Sequence, residues 1–173
     1  MLVDGGGPRS YFAIMVEAWL IPSLIVAATV VAMEGFAIAF HRQVMHGFGW
    51  RWHRSHHEPS SGPFETNDLY ALVFAGLSLL FFTLPARLWP PFWWVGIGTL
   101  VYGILYALLH DGLVHGRFGF RRSPGSAYLK RLVQAHRLHH SVKAREGAVS
   151  FGFLYAPPVR SLRAELRRRR EAA

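Results

Sequence analysis

Three long apolar stretches constrain what this chain can fold into more than any other feature of its sequence. They cover about 11–40, 69–84 and 89–109, and the last two contain no charged side chain. A helix needs about 20 predominantly apolar residues to cross a hydrocarbon core, so the second stretch is slightly short and the first is long enough to tilt. We therefore predict an all-α integral membrane protein with about three transmembrane helices over these ranges.

Positive charge is segregated from the apolar stretches, which disfavours a nucleic-acid partner. The formal net charge is +9, and 14 of the 19 lysines and arginines lie after residue 115. Segments 41–68 and 110–158 follow one and three crossings, so both face one compartment, which the positive-inside rule makes the cytoplasm. We predict a multi-pass inner-membrane protein with a cytoplasmic, histidine-rich helical cap and a basic tail over 159–173. Residues 1–173 are predicted to form a single domain.

Ten histidines and no cysteine limit the metal chemistry of this chain. The absence of cysteine excludes disulfides, thiolate-ligated zinc, iron–sulfur clusters and thiolate-ligated haem. The histidines occur in four clusters, which read HRQVMH, HRSHH, HDGLVH and HRLHH. The pattern HxxxxH followed by HxxHH thus occurs twice, once after the first apolar stretch and once after the third. The ten positions are His41, His46, His53, His56, His57, His110, His115, His136, His139 and His140.

The spacing of the histidines predicts metal binding. Positions i, i+3 and i+4 of an α-helix lie within an arc of about 100°, so each HxxHH presents three imidazoles on one face. The i, i+5 pair of each HxxxxH diverges by about 140°, so its rings either straddle one site or bind different metals. Two sets of five nitrogen donors suit two first-row metal ions, and the donors alone leave iron, zinc and copper open.

Other kinds of histidine site fit the pattern less well. A transmembrane haem protein with two axial histidines would carry them inside the spans, and 69–84 and 89–109 contain none. The H-E-x-x-H motif of zinc peptidases and the Glu-x-x-His motif of ferritin-like di-iron proteins are absent from the sequence. A membrane metal-binding or transport protein remains the alternative outside the enzymes, with only Glu17 and Glu34 as ligands at membrane depth.

Longer segments around the clusters resemble the membrane fatty acid hydroxylase superfamily, and within it the bacterial carotenoid β-ring hydroxylases. From about Glu34 onward the resemblance lies in HRQVMHGFGWRWHRSHHEP, FETNDLYALVFA, YGILYALLHDGLVHGRF, YLKRL and AHRLHHSVKAREGAVSFGFLYAPP. The histidine clusters alone are shared with desaturases and ketolases. Closer resemblance to the hydroxylases comes from HDGLVH and EGAVSFGFLYAPP.

The resemblance implies an oxidoreductase of carotenoid biosynthesis, a monooxygenase that inserts a hydroxyl from O2 at C3 of β-ionone rings. Its substrates would be β-carotene and related carotenoids, converted through β-cryptoxanthin to zeaxanthin. The resemblance also implies that all ten histidines ligate two non-haem iron ions, and zinc has no redox chemistry for such a reaction. The sequence shows no flavin or nicotinamide fingerprint, so we expect electrons from reduced ferredoxin, served by its reductase. A ketolase, or a fatty acid or sterol hydroxylase of the same superfamily, is the enzymatic alternative.

Four carboxylates are expected to support the metal ligands, because ligating imidazoles usually donate their other N–H to a carboxylate or carbonyl. Asp111 and Glu58 each adjoin a histidine, Asp68 opens the second apolar stretch, and Glu34 lies seven residues before the first histidine. Glu58 and Asp68 are equally well explained as a helix cap or surface charge, and Glu34 as a packing partner. No substrate-binding residue is assigned from the sequence.

Overall fold

The computed structural model describes residues 11–58, 62, 64–83, 88–119 and 124–172, and these residues form helices and loops without a strand. The all-α prediction is confirmed for this part of the chain. In chain order the elements are α1 (Tyr11–Met15), π1 (Val16–Leu20), α2 (Ile21–Phe40), π2 (His41–Phe48), α3 (Trp50–His57), α4 (Asp68–Thr83), α5 (Pro91–Tyr106), π3 (Ala107–Val114), a 3-10 turn (Arg117–Gly119), α6 (Ala127–His140) and α7 (Val159–Glu171).

Two helices in the described ranges are long and apolar enough to cross a membrane. Ala13–Phe48 has 36 residues and Pro91–Val114 has 24, and their most apolar 18-residue windows have mean hydropathies of 2.1 and 1.7. Only 6% of the most apolar window of the first helix is buried by the rest of the protein, and such outward apolar surface is typical of lipid contact. Asp68–Thr83 is a shorter apolar helix of 16 residues, and the predicted end of that stretch, Leu84, lies outside the described residues. The two long helices indicate membrane association.

Helix α5 packs against both α2 and α4, and glycines allow the close approach. A Cβ atom at Gly98 would lie 2.5 Å from Thr29 Cβ on α2, and one at Gly96 would lie 2.9 Å from the Phe82 ring on α4. The Ser78 hydroxyl on α4 also donates to the Gly96 carbonyl at 3.0 Å. Small residues at such contacts are typical of helices that pack within membranes.

Helices α6 and α7 pack on each other through a small apolar core. Leu132 and Ala135 of α6 and Leu162 and Leu166 of α7 are buried in this core. The Ser126 side chain accepts a backbone N–H in the first turn of α6 and fixes where that helix begins. The core holds α6, which carries the last histidine cluster, next to the rest of the site.

Candidate metal centre

Each HxxxxH pair lies where an apolar α-helix continues as a π-helix. Hydrogen bonds of a π-helix join residues five apart, as from the His115 N–H to the His110 carbonyl at 3.0 Å. Residues five apart are therefore about one turn apart and face the same way, rather than diverging as on an α-helix. The ring centroids lie 5.2 Å apart for His41 and His46 and 4.7 Å apart for His110 and His115. The winding turns each pair toward a single site, the first of the two alternatives that the spacing left open.

One set of ring nitrogens converges between the first two clusters and α6. The candidate ligand atoms of His41, His46, His53 and His139 all lie within 4.8 Å of one another. His57 joins them, because its Nε2 lies 3.2 Å from His53 Nε2 and its ring centroid lies 4.9 Å from that of His139. We call these five residues the first group.

A second set of ring nitrogens converges beside π3. The candidate ligand atoms of His56, His115, His136 and His140 also lie within 4.8 Å of one another. His110 joins them, because its Nε2 lies 3.1 Å from His56 Nε2 and its ring centroid lies 4.6 Å from that of His136. These five residues are the second group.

The two groups exchange one histidine each. In both HxxHH clusters the first and last histidines stay with the preceding HxxxxH, and the middle histidine crosses to the other group. His56 therefore joins the second group and His139 the first. Each group takes side chains from both halves of the repeat, so neither half completes a group alone.

Hydrogen bonds at Nδ1 fix the tautomer of the first group. A carbonyl or amide oxygen only accepts, so the Nδ1 atom that contacts it carries the proton and leaves Nε2 of the neutral ring without one. Four acceptors are backbone carbonyls and one is the side-chain amide of Asn67, which is not among the predicted site residues. The contacts are His41 to Phe151 O at 3.0 Å, His46 to Arg145 O at 2.7 Å, His53 to Asn67 Oδ1 at 2.7 Å, His57 to Val142 O at 2.9 Å and His139 to Val149 O at 3.0 Å.

Two carboxylates fix the tautomer in the second group. His110 Nδ1 donates to Asp111 Oδ1 at 2.8 Å, and His56 Nδ1 donates to Glu65 Oε2 at 2.9 Å. Asp111 is one of the carboxylates predicted to support a ligand, whereas Glu65 was not predicted. Its only signal is its place in the segment FETND, ahead of α4. A carboxylate on Nδ1 increases the basicity of the opposite nitrogen and so strengthens a metal bond there.

Bare ring nitrogens that face each other make the groups suitable for cations. The Nε2 atoms of His41 and His53 lie 2.9 Å apart, and those of His46 and His139 lie 3.2 Å apart. With both protons held at Nδ1, neither contact can be a hydrogen bond between neutral rings, and the lone pairs repel unless a cation lies among them. His140 Nε2 is buried without a hydrogen-bond partner. Both observations fit metal ions that suit nitrogen donors, such as iron, zinc or copper.

Burial keeps these imidazoles neutral. Desolvation lowers the pKa of His53 to about 3, that of His57 to about 4, that of His115 to about 3 and that of His140 to about 2. Desolvation, assisted by neighbouring imidazoles, also lowers the pKa values of His56, His136 and His139. A neutral imidazole has the lone pair that a metal requires.

The metal-free protein is expected to lose stability as the pH falls below about 6.5, the pKa of histidine in an unfolded chain. Because the folded pKa values of His53, His57, His115 and His140 are about 2 to 4, the unfolded state binds more protons in this window. Each such histidine can lower the free energy of unfolding by up to about 1.4 kcal/mol per pH unit. Thermal unfolding in detergent between pH 7 and pH 4, with and without added metal, measures the effect. A flat profile without metal would contradict it.

The other predicted carboxylates lie near the site without a described hydrogen bond to a histidine. Glu58 is exposed and pairs with Arg54 at 2.7 Å. Asp68 accepts two hydrogen bonds from Arg117, at 2.8 and 2.7 Å, and the same guanidinium lies 3.7 Å from Asp111. Asp68 also accepts the backbone N–H of Glu65 at 2.9 Å, so it reaches the second group through Arg117 and through Glu65.

Glu34 is buried on α2 and binds a loop. Its Oε1 accepts the backbone N–H groups of Phe153, Leu154 and Tyr155 at 2.9, 3.0 and 2.8 Å. Its Oε2 accepts the Tyr102 hydroxyl at 2.8 Å. A carboxylate with four donors is fully hydrogen-bonded, and it fastens the loop after α6 to the apolar helices.

An apolar cavity of about 310 Å³ lies among α2, α4 and α5, and two of its lining residues, Asp111 and Phe153, contact the histidine groups. Its lining includes Phe40, Phe74, Tyr102 and Tyr106 from the helices and Phe153 from the loop that Glu34 holds. The volume is at the lower end of the range for small-molecule sites. The lining favours an apolar group of ring size.

The fold and the site define a helical protein with two histidine-only groups, both suited to hold a metal ion, beside an apolar cavity. Residues 26–156 match the sequence model of the fatty acid hydroxylase family, and the chain belongs to this family. A beta-carotene hydroxylase of Pantoea ananas is 54% identical over 154 residues, 89% of this chain and 88% of that protein.

Two further relatives extend the comparison. A beta-carotene hydroxylase of Pseudescherichia vulneris is 56% identical over 151 residues, 87% of this chain and 85% of the relative. The chloroplastic beta-carotene 3-hydroxylase of Haematococcus lacustris is 39% identical over 140 residues, 78% of this chain and 43% of that protein. No solved structure shows a significant match. The resemblance drawn from the sequence is confirmed.

Proposed function

We propose that this chain is a carotenoid hydroxylase that inserts a hydroxyl from O2 at C3 of β-ionone rings, taking β-carotene through β-cryptoxanthin to zeaxanthin. The observation that carries the proposal is the convergence of ten histidines into two groups beside an apolar cavity, whose lining residues Asp111 and Phe153 contact them. The bacterial relatives, 53–56% identical, are named beta-carotene hydroxylases. A site of nitrogen donors supports a metal enzyme, and an apolar cavity supports a hydrocarbon substrate.

The ten histidines are proposed to hold two iron ions, one in each group. Bound iron supplies the redox chemistry that activates O2, which zinc cannot supply. In the overall reaction a ring C–H bond breaks, a C–O bond forms, and the second oxygen atom leaves as water, with two electrons and two protons consumed. The chain holds the imidazoles neutral, fixes their tautomers and keeps water away from the ring. Asp111 and Glu65 accept hydrogen bonds from ligand histidines directly. Asp68 supports the second group through Arg117 and Glu65, and Glu34 supports the site through the loop that it binds.

Reduced ferredoxin is proposed as the electron donor. The sequence carries no flavin or nicotinamide motif, and its net charge of +9 favours an acidic partner. Lys143 donates to the carbonyl of His57, so positive charge lies directly beside the first group. Exposed arginines on α7 add to the basic surface at Arg160, Arg163, Arg167 and Arg170.

The membrane arrangement is proposed to include α4 as a third crossing, in a single-domain, multi-pass protein of the inner membrane with the histidine groups in the cytoplasm. Reporters at residue 62 and at the C-terminus are then expected in the cytoplasm, and a reporter between Pro85 and Pro91 on the opposite side. Protease protection and alkaline phosphatase fusions measure this. Residue 62 and the C-terminus on opposite sides would contradict the arrangement.

Expression in cells that accumulate β-carotene, followed by pigment analysis, tests the function. Zeaxanthin and β-cryptoxanthin are expected. Keto products without hydroxyls would indicate a ketolase, and unchanged carotenoids with modified lipids would indicate a fatty acid or sterol hydroxylase. Purified, iron-loaded protein is expected to consume O2 and alter the carotenoid only with a reductant. Tight metal binding without turnover would favour a metal-binding or transport protein.

A further inference from the structure

Phe153 lines the cavity and contacts both histidine groups. Its ring stacks on His41 of the first group, with centroids 5.3 Å apart and planes at 4°. The same ring meets His110 of the second group at 5.1 Å and Tyr106 at 4.8 Å, both edge to face. Tyr106 also lines the cavity, but its described histidine contact is with His110 alone. Among the described lining residues, Phe153 is therefore the one whose ring contacts both groups.

The backbone around Phe153 is fixed on both sides. Glu34 accepts the Phe153 N–H at 2.9 Å, and the Phe151 carbonyl accepts from His41 at 3.0 Å. A Cβ atom at Gly152 would lie 2.6 Å from Glu34 Oε1, so the loop passes too close to α2 for any side chain there. The Phe153 ring is thus a fixed wall of the cavity.

The chemistry of a β-ionone ring requires such a wall. The C4 carbon is allylic to the ring double bond and has weaker C–H bonds than C3. Intrinsic reactivity therefore favours oxidation at C4, and oxidation at C3 requires that the protein place C3 closest to the reacting centre. A fixed ring between the cavity and the metal groups limits how far and at what angle the substrate ring can advance.

We propose that Phe153 is the specificity-determining residue that selects C3 of the substrate ring. The inference rests on the proposed function, because it assumes a β-ionone ring in the cavity. A smaller side chain at this position leaves space for the ring to slide, which brings C4 within reach. A larger side chain fills the inner end of the cavity and excludes the ring.

Product analysis with Phe153→Leu and Phe153→Ala tests the selection of C3. Both variants are expected to raise the ratio of C4-oxidised to C3-hydroxylated products at least tenfold, with unchanged iron per chain. Phe81→Leu is the matched control, because it makes the same change on α4, where the Phe81 ring stacks on Phe92 at 6.1 Å and does not line the cavity. This control is expected to keep C3 products only. An unchanged product ratio in both Phe153 variants would overturn the inference.

Binding of β-carotene to the metal-free protein provides a readout independent of turnover. Phe153→Trp is expected to raise the Kd at least tenfold, measured by quenching of intrinsic fluorescence, whereas Phe153→Leu and the control Phe81→Leu are expected to bind as the wild type does. Wild-type affinity in Phe153→Trp would contradict the inference that the Phe153 ring forms a wall of the substrate cavity. A wild-type protein that binds β-carotene but never hydroxylates it would count against the proposed function alone, because the binding comparison still decides the position of Phe153.

Discussion

Replacing His56 or His139, the middle histidine of each HxxHH cluster, with alanine is expected to abolish hydroxylation. Activity is expected at least 100-fold below the wild type. His56→Ala removes a nitrogen donor from the second group and His139→Ala removes one from the first, although each lies in the other half of the repeat. Both side chains are buried, so water cannot enter as a replacement ligand without rearrangement. Even residues that only support metal ligands cost about 10- to 100-fold when replaced. Zeaxanthin yield and iron per chain measure the effect.

Arginines in the same two clusters provide the controls. Arg54 and Arg137 are exposed, and a guanidinium has no lone pair for a metal at neutral pH. Arg54→Ala and Arg137→Ala are therefore expected to keep the iron content of the wild type and at least half of its turnover. Near-normal turnover in one histidine variant would remove that residue from the ligand set, and near-normal turnover in both would overturn the di-iron proposal.

Glu34→Leu is expected to lower the free energy of unfolding by more than about 3 kcal/mol and to eliminate activity. The substitution leaves three backbone N–H groups and the Tyr102 hydroxyl without their acceptor, and each buried unsatisfied group costs about 1–3 kcal/mol. Glu34→Gln retains one acceptor oxygen for the loop, and its amide can donate to the Tyr102 oxygen, so a loss nearer about 1 kcal/mol is expected. Thermal unfolding in detergent measures both variants.

Glu146→Leu is the matched control, because it makes the same change at an exposed position, where the carboxylate pairs only with the exposed Arg145 among the described ion pairs. Its effect on unfolding is expected to stay within about 0.5 kcal/mol. If Glu34→Leu unfolded at the same temperature as Glu34→Gln, the loop would not depend on this carboxylate, and the support of Phe153 would need another source.

Helix positions were predictable because hydrophobicity is a local property of the chain. The apolar stretch predicted over 69–84 is the helix Asp68–Thr83, and the one predicted over 89–109 begins as Pro91–Tyr106. The last histidine cluster likewise lies on a helix, Ala127–His140, as the spacing of HxxHH predicts. Candidate metal-binding residues were visible because histidine is rare and its repeat has no other simple explanation.

Features of the site that could not be predicted from the sequence depend on backbone geometry, on backbone acceptors or on residues far away along the chain. The π-winding that turns His41 and His46 together has no known residue signature in HRQVMH. The acceptors of four Nδ1 protons are backbone carbonyls, which every residue possesses. Glu34 binds N–H groups 119 to 121 positions away, so its place on α2 indicates a buried polar role without naming the partner.

The exchange of histidines has a consequence for how this cysteine-free chain is held together. His46 and His139 are 93 residues apart, and one ion bound by both would cross-link the chain as a disulfide does. Closing a loop of about that length removes roughly 4–5 kcal/mol of unfolded-chain entropy. Under the proposed function, metal loading would be a late folding step that fixes α6 onto the apolar helices. Cells short of iron would accumulate chains with an undocked C-terminal half, and proteases would remove them.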